Sequence, residues 1–194
     1  MTLDPRAFAA GYIARLRDVL ALINLDEVAT FIRIVVEARD RGAMIFFLGN
    51  GGSAAAASHF ANDVAVGGRN PGKPFRAMSL TDNVAVLTAV ANDRGYDRIF
   101  IEQLEILMQP GDVVVAISAS GNSPNVLRAV EYANASGITV GLTGFDGGKL
   151  RQIAQYGAHV PTEKGAYGLV EDAHMALDHL LGAYLIEYCR AESV

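Results

Sequence analysis

From residue 43 onward, short apolar runs alternate with helical stretches, and this alternation is the feature that most constrains the fold. Five runs, bounded by Gly, Pro, Asp or hydroxyl residues, cover 43–49, 75–80, 112–118, 138–144 and 157–161. Helical stretches fill the intervals at 53–66, 83–91, 97–108, 123–136 and 148–155. Such alternation favours a parallel sheet covered on both faces. The sequence therefore predicts an α/β three-layer sandwich with a five-stranded parallel sheet.

Helices flank this core at both ends. Apolar residues recur at helical spacing over 5–23 and 26–41, which predicts an N-terminal helical hairpin over 1–42, with Asp26 as a candidate cap. The hairpin is a candidate oligomer contact. The long, mostly apolar stretch 168–190 predicts a buried C-terminal helix. Since no internal linker or repeat is visible, we expect one domain over 1–194, with the α/β core and C-terminal helix in 43–194.

Charge and composition argue against several classes of protein. The formal net charge is −5 and no Lys/Arg cluster is present, so nucleic acid is not expected as the main ligand. Cys189 is the only cysteine, which excludes an internal disulfide and favours a reducing cytoplasm. The first 25 residues carry too many charges for a signal peptide, and no uncharged run reaches the about 18 residues of a membrane span.

Two loops that follow predicted strands carry the groups of an anion site. The first is GNGGS at 49–53, and the second is SASGNS at 118–123. Backbone N–H groups at a helix start, with Ser hydroxyls beside them, suit a phosphate. Capping serines in ordinary turns would explain either loop alone. The presence of both loops favours a shared phosphate site.

The first loop also matches G-x-G-x-x-A through Gly49, Gly51 and Ala54, which is a weak dinucleotide fingerprint. That fingerprint needs an acidic residue about 20 positions later, and Asp82 comes later than that. No Lys-Ser or Lys-Thr follows the glycines, which excludes a P-loop. A single phosphate therefore fits these loops better than a pyrophosphate.

The motifs GNGGSA, ISASGNSPN, SLTDNVAVLTAVANDRGYDRIF and GLTGFDGGKL resemble the sugar isomerase (SIS) domain family over nearly the whole chain, most closely its phosphoheptose isomerase branch. The resemblance implies a flavodoxin-like sheet and a cytoplasmic homotetramer with one Zn²⁺ per subunit. It also implies conversion of sedoheptulose 7-phosphate to D-glycero-D-manno-heptose 7-phosphate, in heptose or lipopolysaccharide biosynthesis. A relative in this branch, the DnaA initiator-associating protein, is a binding partner in replication initiation. A non-catalytic phosphosugar-binding or protein-binding module is therefore the rival expectation, and isomerisation of another sugar phosphate is a third.

The resemblance also implies which residues form the site. Those expected to bind the sugar phosphate are Asn50, Gly51, Gly52, Ser53, Asp93, Ser118, Ala119, Ser120, Ser123 and Glu171. The implied metal ligands are His59, Asp63, Glu171 and His179, and the implied acid–base pair is Asp63 and His179. The family has Glu where this chain has Asp63, and Gln where it has Glu171. An Asp is one methylene shorter than a Glu, and proton transfer is sensitive to displacements of about 1 Å.

The residues themselves give partial support to this chemistry. Aldose–ketose isomerisation moves a proton between C1 and C2 and needs a base, a group that serves the oxygens, and stabilisation of the enediolate. A divalent ion can supply that stabilisation, and Zn²⁺ accepts His and carboxylate ligands. His59 and Asp63 are four residues apart on one helical face, so both can reach one ion. His159, in a short predicted strand, is expected to be structural.

Spacing alone leaves the ligands on the last helix open. Asp172 and His179 are seven residues apart and share a face, whereas Glu171 and His179 are about 80° apart around the helix. Glu171, His174 and Asp178 form a second polar stripe. Solvated or paired polar residues would explain this pattern too. The rest of the helix is so apolar, however, that charges on it would be costly without a partner or a metal.

Overall fold

The structure, a computed structural model, describes residues 3–67 and 73–192. Two helices come first, and strands and helices then alternate to the end of the chain. In chain order the elements are α1 (Pro5–Ala21), α2 (Leu25–Arg41), β1 (Met44–Gly49), α3 (Gly52–Asn62), β2 (Arg76–Ser79), α4 (Val84–Arg94), α5 (Ile101–Leu107), β3 (Val113–Ser118), α6 (Pro124–Ala133), β4 (Ile138–Phe145), α7 (Gly148–Ile153), β5 (Tyr156–Pro161) and α8 (Tyr167–Ala191). A π-helical turn, Asp63–Gly67, continues α3, and a 3₁₀ turn covers Tyr96–Arg98.

The five strands form one parallel sheet in the order β2-β1-β3-β4-β5. Each predicted apolar run became one strand, so the predicted α/β fold with a five-stranded parallel sheet is confirmed. The order is that of flavodoxin-like sheets. In these sheets β2 lies on one side of β1 and the later strands lie on the other, so the strand order reverses between β1 and β3. Ligands of such sheets bind at this switch point, beyond the carboxyl ends of the strands. The two serine-bearing loops follow β1 and β3 and therefore flank it.

Apolar side chains of the strands fill cores on both faces of the sheet. On one face, Phe47 and Val115 pack with residues of α2, α3 and α8. On the other face, Phe46 and Val114 pack with residues of α5, α6 and α7. Because both faces are buried, the strands read as continuous apolar runs rather than as alternating apolar and polar residues.

The two N-terminal helices differ in how they pack. Helix α2 buries Phe31 and Val35 in the core against the sheet, whereas Val19 is the only buried residue of α1. The residue that caps α2 is Asn24, whose side-chain oxygen accepts hydrogen bonds from the next turn, so the prediction of Asp26 as the cap was wrong. The single domain over 1–194 stays a prediction. Within residues 3–67 and 73–192, no helix has the length and apolar character needed to cross a membrane.

Candidate active site

The loops after β1 and β3 enclose a cavity of about 160 Å³. Most of the residues expected to bind the sugar phosphate meet in its wall. The lining residues are Asn50, Ser53, Ile117, Ser118, Ala119, Ser120, Ser123, Tyr167 and Glu171. Gly51 and Gly52 form the start of α3 beside this wall. Asp93 lies on the exposed surface of α4, outside the lining residues, and accepts a hydrogen bond from Asn92.

Two helix N-termini reach this cavity, through Ser53 of α3 and Ser123 at the start of α6. The N-cap residues, Gly51 and Ser123, make no side-chain capping bond within the described ranges. Helix N-termini carry partial positive charge and unpaired N–H groups, which attract anions. The cavity therefore combines two helix starts with four serine hydroxyls, an arrangement suited to a phosphate.

The loop after β3 is held in shape by its own hydroxyls. The Gly121 N–H donates to Ser118 Oγ at 3.2 Å, and the Asn122 N–H donates to Ser120 Oγ at 3.3 Å. A hydroxyl that accepts such a bond can still donate its own proton. The backbone oxygen of Ala119 also accepts from Gly144 N–H at 3.0 Å, which ties the loop to β4. The loop is thus preorganised, with hydroxyl donors left for a ligand.

A side-chain network that the sequence analysis missed positions the loop after β1. The Asn50 and Asn125 amides pair reciprocally at 2.9 Å, and the Tyr96 hydroxyl donates to Asn50 Oδ1 at 2.9 Å. Asn125 is buried in the first turn of α6. Asn50 therefore connects the loop after β1 to the helix that follows the loop after β3.

Glu171, on the first turns of α8, brings a carboxylate into this cavity. A Cβ on Gly52 would lie 2.3 Å from the Glu171 carboxylate carbon and 2.3 Å from each of its oxygens. The absence of a side chain on Gly52 is therefore what lets the Glu171 carboxylate lie against the first turn of α3. A carboxylate is stabilised at that end of a helix.

A second cluster of polar groups lies further along α3 and α8. His59 Nε2 is 3.6 Å from Asp63 Oδ2, 3.5 Å from Asp178 Oδ2 and 3.3 Å from His179 Nε2. One ligand atom from each of these four residues lies within 4.8 Å of the others, and among the described residues this is the group with the composition of a metal site. The structure thus brings three of the predicted ligands together and adds Asp178, which was not predicted.

Asp178 is the most unusual member of this group. It is 0% exposed, and neither carboxylate oxygen has a hydrogen-bond partner among the residues the structure describes. Burial, reinforced by the negative charge of Asp63, raises the pKa of Asp178 to about 7, although His179 acts in the opposite direction. A buried ionised carboxylate is costly without a positive partner. This unpartnered carboxylate, with two imidazoles and a second carboxylate, has the donor chemistry that zinc accepts.

The position of Asp63 depends on close packing between α3 and α8. A Cβ on Gly182 would lie 3.4 Å from Asp63 Oδ2, an ordinary van der Waals distance, so the Asp63 carboxylate lies close to the α8 backbone at this residue. Asp63 begins the π-helical turn, a deviation that often marks functional sites. The Asn62 amide donates to Asp63 Oδ1 at 2.9 Å and orients the carboxylate.

Comparison with known proteins identifies the family to which this chain belongs. The sequence pattern of the SIS domain matches residues 8–144, more than half of the chain. The chain belongs to the SIS-domain family. Phosphoheptose isomerase from Rhodospirillum rubrum is 42% identical to this SIS-domain protein over 149 residues, which cover 76% of this chain and 78% of the relative. Phosphoheptose isomerase from Trichlorobacter lovleyi is 39% identical over 181 residues, covering 88% and 90%.

Solved structures agree with this assignment. Phosphoheptose isomerase from Neisseria gonorrhoeae superposes with a TM-score of 0.84 at 30% identity, covering 94% of this chain and 98% of that one. The Francisella tularensis phosphoheptose isomerase gives a TM-score of 0.85 at 25% identity, covering 95% and 100%. The SIS-domain protein therefore falls in the phosphoheptose isomerase branch. The predicted enzyme class, an aldose–ketose isomerase, is confirmed.

Other polar residues considered in the sequence lie outside the cluster of His59, Asp63, Asp178 and His179. Asp172, which helical spacing favoured as a ligand, accepts a 2.6 Å hydrogen bond from the Tyr12 hydroxyl of α1. His159 Nδ1 lies 3.0 Å from the Thr143 hydroxyl, and burial lowers the pKa of His159. His174 is fully buried, and burial lowers its pKa to about 4, which keeps its ring neutral.

Proposed function

We propose that this SIS-domain protein converts sedoheptulose 7-phosphate to D-glycero-D-manno-heptose 7-phosphate by metal-assisted proton transfer. The observation that carries the proposal is that the serine-lined cavity and the His/Asp cluster lie along the same two helices. Ser53 is six residues before His59 on α3, or about 9 Å along the helix axis. An open-chain sugar phosphate with several carbons can span that distance, with its phosphate in the cavity and its carbonyl end at the cluster.

In this proposal the phosphate end is recognised by the preorganised loops. The hydroxyls of Ser53, Ser118, Ser120 and Ser123 donate to phosphate oxygens, and the starts of α3 and α6 supply favourable electrostatics. Asp93 and Glu171 are the predicted contacts to sugar hydroxyls. Binding at these groups fixes the distance from the phosphate to the reacting carbons, which is how positioning contributes to rate.

The proton transfers are assigned to Asp63 and His179. The Asp63 carboxylate removes a proton from C1, the electron pair forms the C1–C2 double bond, and the C2 oxygen becomes negative. His179 delivers a proton to O2 and takes one from O1, and the proton held by Asp63 returns to C2, which leaves an aldehyde at C1. A zinc ion held by the His/Asp cluster would supply Lewis-acid stabilisation of the negative charge on oxygen.

The finer parts of the proposal rest on the family resemblance. They are the metal set His59, Asp63, Glu171 and His179, a cytoplasmic homotetramer, and a place in heptose biosynthesis. Membership of the phosphoheptose isomerase branch supports them. The geometry of the cluster supports His59, Asp63 and His179 within the metal set.

The test is to incubate the purified protein with zinc and sedoheptulose 7-phosphate and to follow the aldose product by NMR. We expect turnover, and we expect Asp63→Asn to reduce kcat by at least about 100-fold. Asp146→Asn, at an exposed turn residue, is the matched control and should leave kcat unchanged.

Two outcomes would redirect or reject the proposal. Turnover of a five- or six-carbon ketose phosphate, with none of the heptose, would keep the isomerase chemistry and replace the substrate. A folded protein that isomerises none of these sugars would support the rival hypothesis of a non-catalytic binding module. Elemental analysis would then be informative, because a binding module has no need of stoichiometric zinc.

A further inference from the structure

We infer that Asp178, rather than Glu171, completes the metal site with His59 and His179, and that Asp63 is thereby left free to act as the base. This inference rests on the metal-assisted function proposed above and replaces Asp63 and Glu171 with Asp178 in its metal set. Two carboxylates, Asp63 and Asp178, are available at the cluster, and the structure gives them different surroundings.

Two ligand–ligand distances are those expected if Asp178 shares an ion with the two histidines, and the ligand atoms of Asp178 and His179 lie within 4.8 Å of each other. Tetrahedral zinc with ligand bonds of about 2.0–2.1 Å separates its ligand atoms by about 3.3–3.4 Å. The two histidine Nε2 atoms are 3.3 Å apart, and Asp178 Oδ2 is 3.5 Å from His59 Nε2. Asp63 Oδ2, at 3.6 Å from His59 Nε2, is close to the same range. Distance therefore admits both carboxylates and does not choose between them.

Burial and hydrogen bonding distinguish the two carboxylates. The Asp178 side chain is 0% exposed and, within the described part of the chain, its oxygens have no hydrogen-bond donor. The Asp63 side chain is 25% exposed and already accepts a bond from Asn62. An ion held together with the two histidines would compensate the buried charge of Asp178. Asp63 has other partners and is open to a substrate.

The resulting ligand count matches a catalytic metal site. Catalytic zinc sites have three protein ligands and an open fourth position, whereas sites closed by four protein ligands are structural. With His59, Asp178 and His179 as ligands, the fourth position is available to substrate oxygens, and Asp63 lies beside it.

Glu171 belongs to the other end of the site. Its carboxylate lies against Gly52 among the serines of the cavity, and it is not a member of the four-residue group of ligand atoms. Two turns of α8 separate Glu171 from His179, about 12 Å along the helix axis. Asp178, the residue directly before His179, supplies the carboxylate to the ion instead of Glu171.

The test measures Co²⁺ and Zn²⁺ affinity by titration calorimetry and by the visible absorption of bound Co²⁺. We expect Asp178→Asn to weaken metal binding by more than about 100-fold, beyond the 10–100-fold typical of groups that only support ligands. Asp178→Leu should bind equally weakly and still fold, since an apolar side chain suits this buried position. Asp63→Asn and Glu171→Gln should stay within about tenfold of the parent protein. Asp172→Asn, exposed on the same helix, is the control.

Loss of metal binding in Glu171→Gln with retention in Asp178→Asn would overturn the inference. So would a loss in Asp63→Asn as large as that in Asp178→Asn, or a parent protein that binds neither ion. If the metal pattern holds but no sugar phosphate is isomerised, the proposed function fails and the ligand assignment stands. If the pattern holds and the sugar is turned over, Asp63→Asn should lose kcat while keeping its metal.

Discussion

Replacing Asp178 with Asn should change how the stability of the metal-free protein depends on pH. Burial raises the pKa of Asp178 to about 7, compared with 3.8 in an exposed Asp. Between these pH values the folded protein keeps a proton that the unfolded chain has lost. The free energy of unfolding therefore falls as pH rises through this range, by up to about 1.4 kcal/mol per pH unit.

His174, four residues earlier, has the opposite effect. Its pKa is about 4 in the folded protein, compared with 6.5 when exposed, so in this range the unfolded chain holds the extra proton. His174 therefore makes stability rise with pH between about 4 and 6.5, and in the parent protein the two contributions nearly cancel. Removing Asp178 leaves His174 alone. Between about pH 4.5 and pH 6.5, the free energy of unfolding of Asp178→Asn should therefore increase by about 2–3 kcal/mol more than that of the parent protein.

The assay is urea unfolding at half-unit pH steps, with a chelator present, for the parent protein and for Asp178→Asn. Titrations shared by both proteins cancel in the difference between the two curves. Glu187→Gln, an exposed change on the same helix, should give a curve parallel to that of the parent. If the curve of Asp178→Asn is also parallel between pH 4.5 and 6.5, Asp178 does not hold a proton across this range in the folded protein, which would contradict its raised pKa.

Three further changes test the cavity. Glu171→Gln should tighten binding of inorganic phosphate by several-fold to about tenfold, measured by calorimetry, because a negative charge leaves an anion site. Gly121→Ala should lower the free energy of unfolding by more than about 2 kcal/mol, since its Cβ would lie 2.0 Å from the Gly147 carbonyl oxygen at a φ of +63°. Gly111→Ala, also at positive φ but in open space, should lower the free energy of unfolding by only about 1–2 kcal/mol. An equal loss in Gly121→Ala and Gly111→Ala would contradict a clash at Gly121. Asn125→Ala should cost about 1–3 kcal/mol and weaken phosphate binding, because Asn50 loses its amide partner; unchanged phosphate affinity would exclude this positioning role.

Much of the fold was predictable because its determinants are local. Continuous apolar runs bounded by Gly, Pro and Asp became the five strands, and helical periodicity gave the helices between them. The phosphate cavity was predictable for a related reason. Parallel strands align their carboxyl ends at one edge, so loops that follow adjacent strands meet there. The spacing in the sequence also predicted that His59 and Asp63 lie on the same face of α3, because they are one turn apart.

Less of the metal site could be predicted, because helix α8 offers five polar residues within nine positions. Spacing favoured Asp172, and the family resemblance favoured Glu171. The structure brings Asp178 to His59, ties Asp172 to Tyr12 and places Glu171 in the cavity. The sequence did place Asp178 in a polar stripe of the last helix. Such a stripe does not reveal which neighbouring helix its side chains contact.

The sequence by itself determined the strands, the helices, the two anion-binding loops and the family, since these depend on local periodicity, turn chemistry and motif. Only the tertiary structure decided which carboxylates belong to which part of the site. Helical periodicity gives relative angles on one helix, but not the rotation and depth at which α8 packs on α3. Gly52 allows the Glu171 carboxylate to lie against the backbone of α3, and that contact assigns Glu171 to the cavity.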